Sequence, residues 1–266
     1  MSNITVRASS WGSFFDCAHS WEWTHLLKHR KAAGLRALLG TAVHAGTAAF
    51  DQARLQQSPI RPDDAADAFV ESLRTPEYDV DYKQDDLKLQ EAERIGLTLV
   101  ARYCSTIAPQ FDFIAVEMKL EPLVIDCGGG TTVTLTGTMD RARVAATDDG
   151  VVIPDVKTGR AVVNKDGVST KARAPQLGTY QLMYENTAKE PTVGSQIIGL
   201  GTTSAAPVGV SHVFDARKVM LGDGEQRGLI QYAAEMFRAG MFPPNPSSPL
   251  CSPRYCARWS TCLFHS

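Results

Sequence analysis

The chain has 266 residues, 44% hydrophobic and 21% charged, with a net charge of −2. These are the proportions of a soluble globular protein, and they exclude a protein that coats nucleic acid through bulk positive charge. No run approaches the roughly 18 apolar residues of a membrane span. Six cysteines are too few for a disulfide scaffold. The start, Met-Ser-Asn-Ile-Thr-Val-Arg, lacks the basic-then-apolar profile of a signal peptide, so a cytoplasmic location is expected.

Residues 12–31 read as helical, with Trp11, Phe14, Phe15, Trp21, Trp23 and Leu26 as apolar bulk. Residues 38–56 form a second helical stretch that stops before Pro59, and a short helix is expected near 64–74. The clearest helix spans 84–107, where Leu89, Ile95, Leu99, Val100 and Tyr103 keep to one broad face before Pro109. The period then changes. Residues 111–124 and 131–144 read as strands around the turn Gly128-Gly129-Gly130, and Asp148-Asp149-Gly150 turns the chain into a third strand over 151–158. A helix is expected from Ala174-Pro175 to about Asn186, then strands at 193–201 and 208–214 and a helix over 216–239 that stops at Gly240. Pro243-Pro244-Asn245-Pro246 opens an extended tail. The expected fold is α/β, a small mixed central sheet flanked by helices, as one domain over 1–266. Its helical N-terminal part is 1–110, its sheet and following helix 111–215, and its C-terminal helix and cysteines 216–266.

Two constellations carry chemistry. The first is Asp140, Asp155 and Lys157. Hydrolysis of a phosphodiester with a divalent cation needs hard oxygen ligands and gains from a cation that balances phosphate charge. Asp155 and Lys157 are two apart on a strand and share a face. A four-residue loop over 146–149 sets Asp140 opposite Asp155. A two-residue turn at Asp149-Gly150 would separate them by roughly 13 Å unless a bulge closed the gap, so a shared site requires the longer loop or a bulge. Pro154 lacks a ladder donor and points to an edge strand or a distorted position. A basic stretch follows, with Lys157, Arg160, Lys165, Lys171 and Arg173 against Asp166 alone. Another runs from Lys28-His29-Arg30-Lys31 to Arg36. A local positive groove serves a polyanion even when the whole is not positive. Glu117, on the first strand, either supports the site or makes a strand-edge ion pair, the second being the better reading.

The second constellation is Cys251-x4-Cys256-x5-Cys262 with the distant Cys17. Three close thiolates and a fourth hold either a 4Fe–4S cluster or a zinc ion. Cys17 is the natural fourth because it, too, stands outside the helical and strand core. Cys104, on an apolar helix, and Cys127, before the glycine turn, look structural. A zinc site usually shows paired C-x2-C spacings, which this tail lacks. Tyr255, Trp259 and Phe264 with Arg254 and Arg258 suit either base stacking or a small satellite core around the cysteines.

Several spaced pieces resemble the RecB-type branch of the PD-(D/E)xK nuclease superfamily. Gly40-Thr-Ala-Val-His44 is similar to its helical histidine motif, and Gly137-Thr-Met-Asp140-Arg141 to its G-x-x-D-R element. Pro154-Asp155-Val156-Lys157-Thr158-Gly159 is similar to its D-x-K-T-G element, and Gln176-Leu-Gly-Thr-Tyr180 to its Q-x-x-x-Y helix. The resemblance implies that His44, Asp140 and Asp155, with the Val156 carbonyl, bind Mg²⁺ or Mn²⁺. It implies that Lys157 assists the attack, and that Gln176 and Tyr180, on one helical face, complete the site or contact nucleic acid. Many relatives have Glu where this chain has Asp155 or Val156.

The cysteines resemble the iron–sulfur subgroup of that branch, seen in CRISPR-adaptation and AddB-type nucleases. One N-terminal and three C-terminal cysteines there hold a 4Fe–4S cluster, which implies Cys17, Cys251, Cys256 and Cys262 here. The usual C-terminal spacing begins C-x2-C, and this chain has C-x4-C. The implied activity is that of a metal-dependent DNA nuclease, an exonuclease on single strands or DNA ends in recombination, repair or phage DNA processing. If phage-encoded, it would work in the host cytoplasm. No G-x-x-x-x-G-K-S/T motif is present, so the chain is expected to be either a free-standing nuclease or a subunit that borrows a motor, with a helicase, annealing or recombination protein as the candidate partner beside DNA. The alternative is a non-catalytic or partner-activated DNA-binding subunit.

Overall fold

A computed structural model describes residues 2–146 and 150–265. Strand β1, Ser2–Arg7, was not foreseen, and it leads into helices α1, Trp11–Asp16, and α2, Ala18–Trp21. The single helix expected over 12–31 is therefore broken. Cys17 takes an extended conformation (φ −147°, ψ 94°) between the two pieces, and a wide turn over Glu22–Leu26 ends the segment. The two-residue strand β2, Ala33–Gly34, precedes α3, Leu35–Leu55. Leu35, Leu38, Leu39, Ala42 and Val43 are buried along α3 at the helical repeat. Each such leucine contributes about 1.5–3 kcal/mol on burial. Helix α4, Pro62–Arg74, starts with Pro62 in its first turn, and β3, Val80–Asp81, pairs with β2. Helix α5, Leu89–Arg102, continues into a wide turn over Tyr103–Ile107.

Each long strand expected over 111–144 is two strands. They are β4, Phe113–Lys119, and β5, Leu123–Asp126, then β6, Thr131–Thr136, and β7, Thr138–Val144. The breaks fall at Pro122, which cannot donate to a ladder, and at Gly137. The hairpin thereby passes from one sheet into another, with the Leu120 amide bonded to the Gly137 carbonyl at the crossing (3.1 Å). Strand β8, Val151–Gly159, is followed by the small hairpin β9, Val163–Asn164, and β10, Gly167–Val168. Helix α6, Ala174–Ala188, leads to β11, Thr192–Gly201, and β12, Val208–Val210. The helix expected over 216–239 is interrupted at Gly222 (φ +81°), giving α7, Arg217–Leu221, and α8, Leu229–Ala239. Gly240 closes α8 in the left-handed conformation.

The main sheet runs β12-β11-β8-β7-β4, and a second runs β1-β6-β5. Strands β8 and β11 are parallel and joined through α6, whereas β7 and β4 run antiparallel to their neighbours. This mixed sheet among helices matches the expected class. Two apolar clusters cover it. Leu38, Leu39, Phe69, Leu99, Val156 and Ile198 unite α3, α4 and α5 with one side. Trp11, Phe14, Trp21, Ile153, Tyr180 and Phe237 unite α1, α6 and α8 with the other. Among the described residues no helix is long and apolar enough to cross a membrane.

Candidate active site and cysteine cavity

Arg143 pairs with Val152 and Val144 with Val151, and the Ala145 amide bonds the Gly150 carbonyl (2.9 Å). Continued along the strands, that register sets Asp140 opposite Asp155, the outcome of the longer connection. Asp148 and Asp149 of the expected turn lie outside the described residues. Pro154 does not mark an edge, because β8 lies between β11 and β7. It marks a distortion. The paired residues of β7 and β8 stop at Arg143 and Val152, before Pro154. Beyond it, the Val156 amide donates to the Asp140 carboxylate (2.8 Å). Val156 thus meets the site through its backbone, while its side chain is buried in the helical cluster.

His44 projects from α3 with its Nδ1 atom 3.4 Å from Asp140 Oδ2. Gly40, one turn earlier, allows that approach, since a Cβ there would stand 2.9 Å from Thr158 Oγ1. Ligand-type atoms of His44, Asp140 and Glu117 all lie within 4.8 Å of one another. Glu117, read from sequence as an ion-pair residue, does make that pair, with Arg141 at 3.1 Å. It also belongs to the cluster, the other of the two readings its place on the first strand offered.

Asp155 stands beside this trio, fully buried, with Oδ2 2.6 Å from Lys157 Nζ. Its Oδ1 is buried with no protein partner. Burial, and the like charge of Asp140, push the Asp155 carboxyl above the usual range against the pull of Lys157. Burial opposes ionisation of Asp140 too, but His44, Lys157, Arg141 and the Val156 amide together hold it below that range. Burial likewise opposes the Lys157 charge, and Asp155 and Asp140 outweigh it, so the ammonium keeps its proton more firmly than usual. Desolvation and Asp140 raise Glu117. Gln176 and Tyr180 close the site from α6, joined by a 3.2 Å hydrogen bond. Burial and the Asp155 and Asp140 charges keep the Tyr180 phenol protonated. The Tyr180 ring lies over Gly137, where a Cβ would meet it at 2.8 Å.

Cys17, Cys251, Cys256 and Cys262 line one cavity of about 210 Å³, walled by Trp21, Leu250 and Phe264. Desolvation and the neighbouring Cys256, Cys17 and Cys262 raise the Cys251 thiol. The tail is fastened to the N-terminal segment independently of its sulfurs. Ser248 donates to Asp16 (2.6 Å), Asn245 to the Asp16 carbonyl (2.9 Å), and Arg258 to Glu22 (2.7 Å). Arg258 also lies over the Trp23 ring, Trp259 stacks on His265, and Phe264 meets His19 edge-on. These contacts favour the satellite-core reading of the tail aromatics. Cys104 is buried, with its thiol pushed up to about 12 by burial and by Asp51, and Cys127 is half-buried.

No curated protein matches the chain. Among solved structures, one named "Putative exonuclease" from Eubacterium rectale is similar, with a TM-score of 0.57 at 14% identity over 99% of this chain and 90% of that one. A second, the crystal structure of SSO0001, aligns with a TM-score of 0.39 at 12% identity over 92% and 94%. The first shows a shared fold. The sequence profile of the PD-(D/E)XK nuclease superfamily matches residues 7–263, spanning every piece of the site and all four cavity cysteines. The chain belongs to the PD-(D/E)XK nuclease superfamily.

Proposed function

We propose that this protein is a Mg²⁺- or Mn²⁺-dependent deoxyribonuclease, an exonuclease on single strands or DNA ends that serves recombination, repair or phage DNA processing. The observation that carries the reading is the convergence of His44, Glu117 and Asp140 beside the orphaned Asp155 Oδ1 and the Lys157 ammonium. Carboxylate oxygens and one imidazole suit a hard divalent cation, and the orphaned buried oxygen suits a cationic partner. Such a cation, when bound, supplies Lewis acidity to phosphodiester hydrolysis. Lys157, fixed by Asp155, sets a positive charge beside the phosphate. Asp140 stays ionised through its four cationic and amide neighbours, and Tyr180 and Gln176 wall the site on the α6 side. The "Putative exonuclease" name of the similar Eubacterium rectale structure agrees with an end-directed activity.

The cysteine cavity is assigned, in the same reading, to a 4Fe–4S cluster held by Cys17, Cys251, Cys256 and Cys262. Four thiolates around one zinc ion at 2.3 Å stand about 3.8 Å apart. Among the described residues no three cysteine sulfurs lie within 4.8 Å of one another, which suits a larger group. Its role is to clamp residue 17 to the tail. A helicase, annealing or recombination protein is the proposed partner.

The test is cleavage of end-labelled single- and double-stranded DNA with Mg²⁺ or Mn²⁺, wild type beside Asp155→Ala. Metal-dependent shortening lost in the variant supports the reading. Well-folded wild type that leaves both substrates intact rejects it as a free-standing enzyme.

A further inference from the structure

Arg141 follows Asp140 directly, yet its side chain is wholly buried. One guanidinium joins four groups. Nε donates to Asp51 Oδ2 (2.7 Å), Nη1 to Glu117 Oε1 (3.1 Å) and to the Asp140 carbonyl (2.8 Å), and Nη2 to Thr47 (3.4 Å). Asp51 is equally buried and takes a further hydrogen bond from the Tyr103 hydroxyl. A buried ion pair is a poor source of net stability, because desolvating both charges costs about what their attraction returns. Asp51 Oδ1 is moreover buried with no protein partner, a cost that a purely stabilising pair would not carry.

The second observation lies at the other end of the guanidinium. Glu117 has φ +48°, the left-handed region that a residue with a side chain enters at a cost. Its neighbours Val116 and Met118 remain paired with Arg141 and Met139. The register of β4 against β7 also shifts between Phe113 and Ala115, but the left-handed conformation in β4 falls on the residue whose carboxylate joins His44 and Asp140. Asp51 and His44 are seven apart on α3, two turns on one face. One helix therefore sets two donors of the trio, His44 directly and Glu117 at one remove.

We propose that Asp51 is a positioning residue, fixing Arg141 so that Arg141 holds the Glu117 carboxylate at the metal site. The proposal rests on the metal-dependent reading above. It assigns no contact between Asp51 and substrate or cation.

The experiment compares wild type, Asp51→Asn, the apolar pair Asp51→Leu/Arg141→Met, and Tyr103→Phe. Three quantities are read: the Mg²⁺ concentration for half-maximal cleavage, Mn²⁺ affinity by calorimetry, and the melting temperature without metal. The apolar pair removes both buried charges at once and leaves neither unpaired, so its fold is expected to survive if Asp51→Asn does not. The expected result is a tenfold or greater rise in half-saturating Mg²⁺ and a matching loss of Mn²⁺ affinity in Asp51→Asn and in the apolar pair. Tyr103→Phe should show a rise of two- to threefold, with its own rate at saturating metal within threefold of wild type. Unchanged metal dependence in the variants that fold overturns the proposal and leaves the nuclease reading standing. Wild type that binds Mn²⁺ without cleaving DNA rejects the free-standing nuclease, and the calorimetry alone then decides the role of Asp51. Wild type that binds no Mn²⁺ overturns both.

Discussion

Asp140 accepts the Val156 amide proton at 2.8 Å, so a side chain does for this stretch of β8 what a ladder carbonyl does elsewhere. The bond fixes one carboxylate oxygen against the strand that carries Asp155 and Lys157. It follows from Pro154, whose missing N–H interrupts the ladder just before the acidic residue. The proline opens the sheet where the chemistry needs room.

Lys157 and Asp155 should matter to the reaction through different variables. Lys157→Ala removes a preorganised positive charge and is expected to lower the cleavage rate about 10²–10³-fold with little change in metal requirement. Asp155→Ala should abolish cleavage and loosen divalent-ion binding as well. Rate against Mg²⁺ concentration for the two variants checks this; identical profiles would contradict the separate roles.

Removing one cavity cysteine should release the whole group. Cys17→Ser, purified without oxygen, is expected to lose most of its iron and acid-labile sulfide, whereas Cys127→Ser keeps about four iron atoms per chain. Zinc in the wild-type protein, with no sulfide, would reject the cluster.

The two motif glycines should differ in their tolerance of a methyl group. At Gly137 a Cβ would meet the buried Tyr180 ring at 2.8 Å. Gly137→Ala should therefore cost about 1–3 kcal/mol in stability and disturb the wall of the site. At Gly40 the obstacle is the Thr158 hydroxyl at 2.9 Å, which can rotate away. Gly40→Ala should cost less than half as much in chemical denaturation, and equal losses would contradict the account.

Thiol reactivity should separate Cys104 from the cavity cysteines. With its thiol pushed up to about 12, Cys104 holds a thiolate fraction of roughly 10⁻⁴ at pH 8, and reactivity follows the thiolate. In chelator-treated native protein, iodoacetamide should label Cys251 and Cys262 while Cys104 stays unmodified until the chain is unfolded. Raising the pH toward 12 should bring its labelling in. Mass spectrometry of the labelled peptides reads the order.

The candidate site was legible in sequence where its members sit in spaced, typed motifs. His44, Asp140, Asp155, Lys157, Gln176 and Tyr180 each lie in such a piece, and the structure sets His44 against Asp140, Lys157 against Asp155 and Gln176 against Tyr180, while their roles stand as proposals. Strand arithmetic left two Asp140–Asp155 registers open, and only the premise of a shared site favoured the longer connection that the pairing of Arg143 with Val152 agrees with. Asp51 was not legible, and Glu117 was legible only as a residue that supports the site or makes an ion pair. Each is an acidic residue in an ordinary amphipathic context, and its meaning depends on Arg141, which is 24 positions from Glu117 and 90 from Asp51. The N-terminal strand was missed because its six residues pair only with β6, about 130 positions on. The split strands were missed because the local pattern of alternation is the same whichever sheet a strand joins. Composition marked Pro122 and Gly137 as breaks only once the crossing between sheets was seen.

The contacts between the tail and residues 16–31 carry a consequence for synthesis on the ribosome. Strand β1 leaves the ribosome about 130 residues ahead of its partner β6, a delay of roughly 6–25 seconds at ordinary elongation rates. Cys17 waits longer still, for Cys251, Cys256 and Cys262. Segments far apart in synthesis thus mature together, and a nascent chain that has not yet reached Cys251 holds the acidic centre without the contacts that clasp Asp16 and Glu22 to the tail.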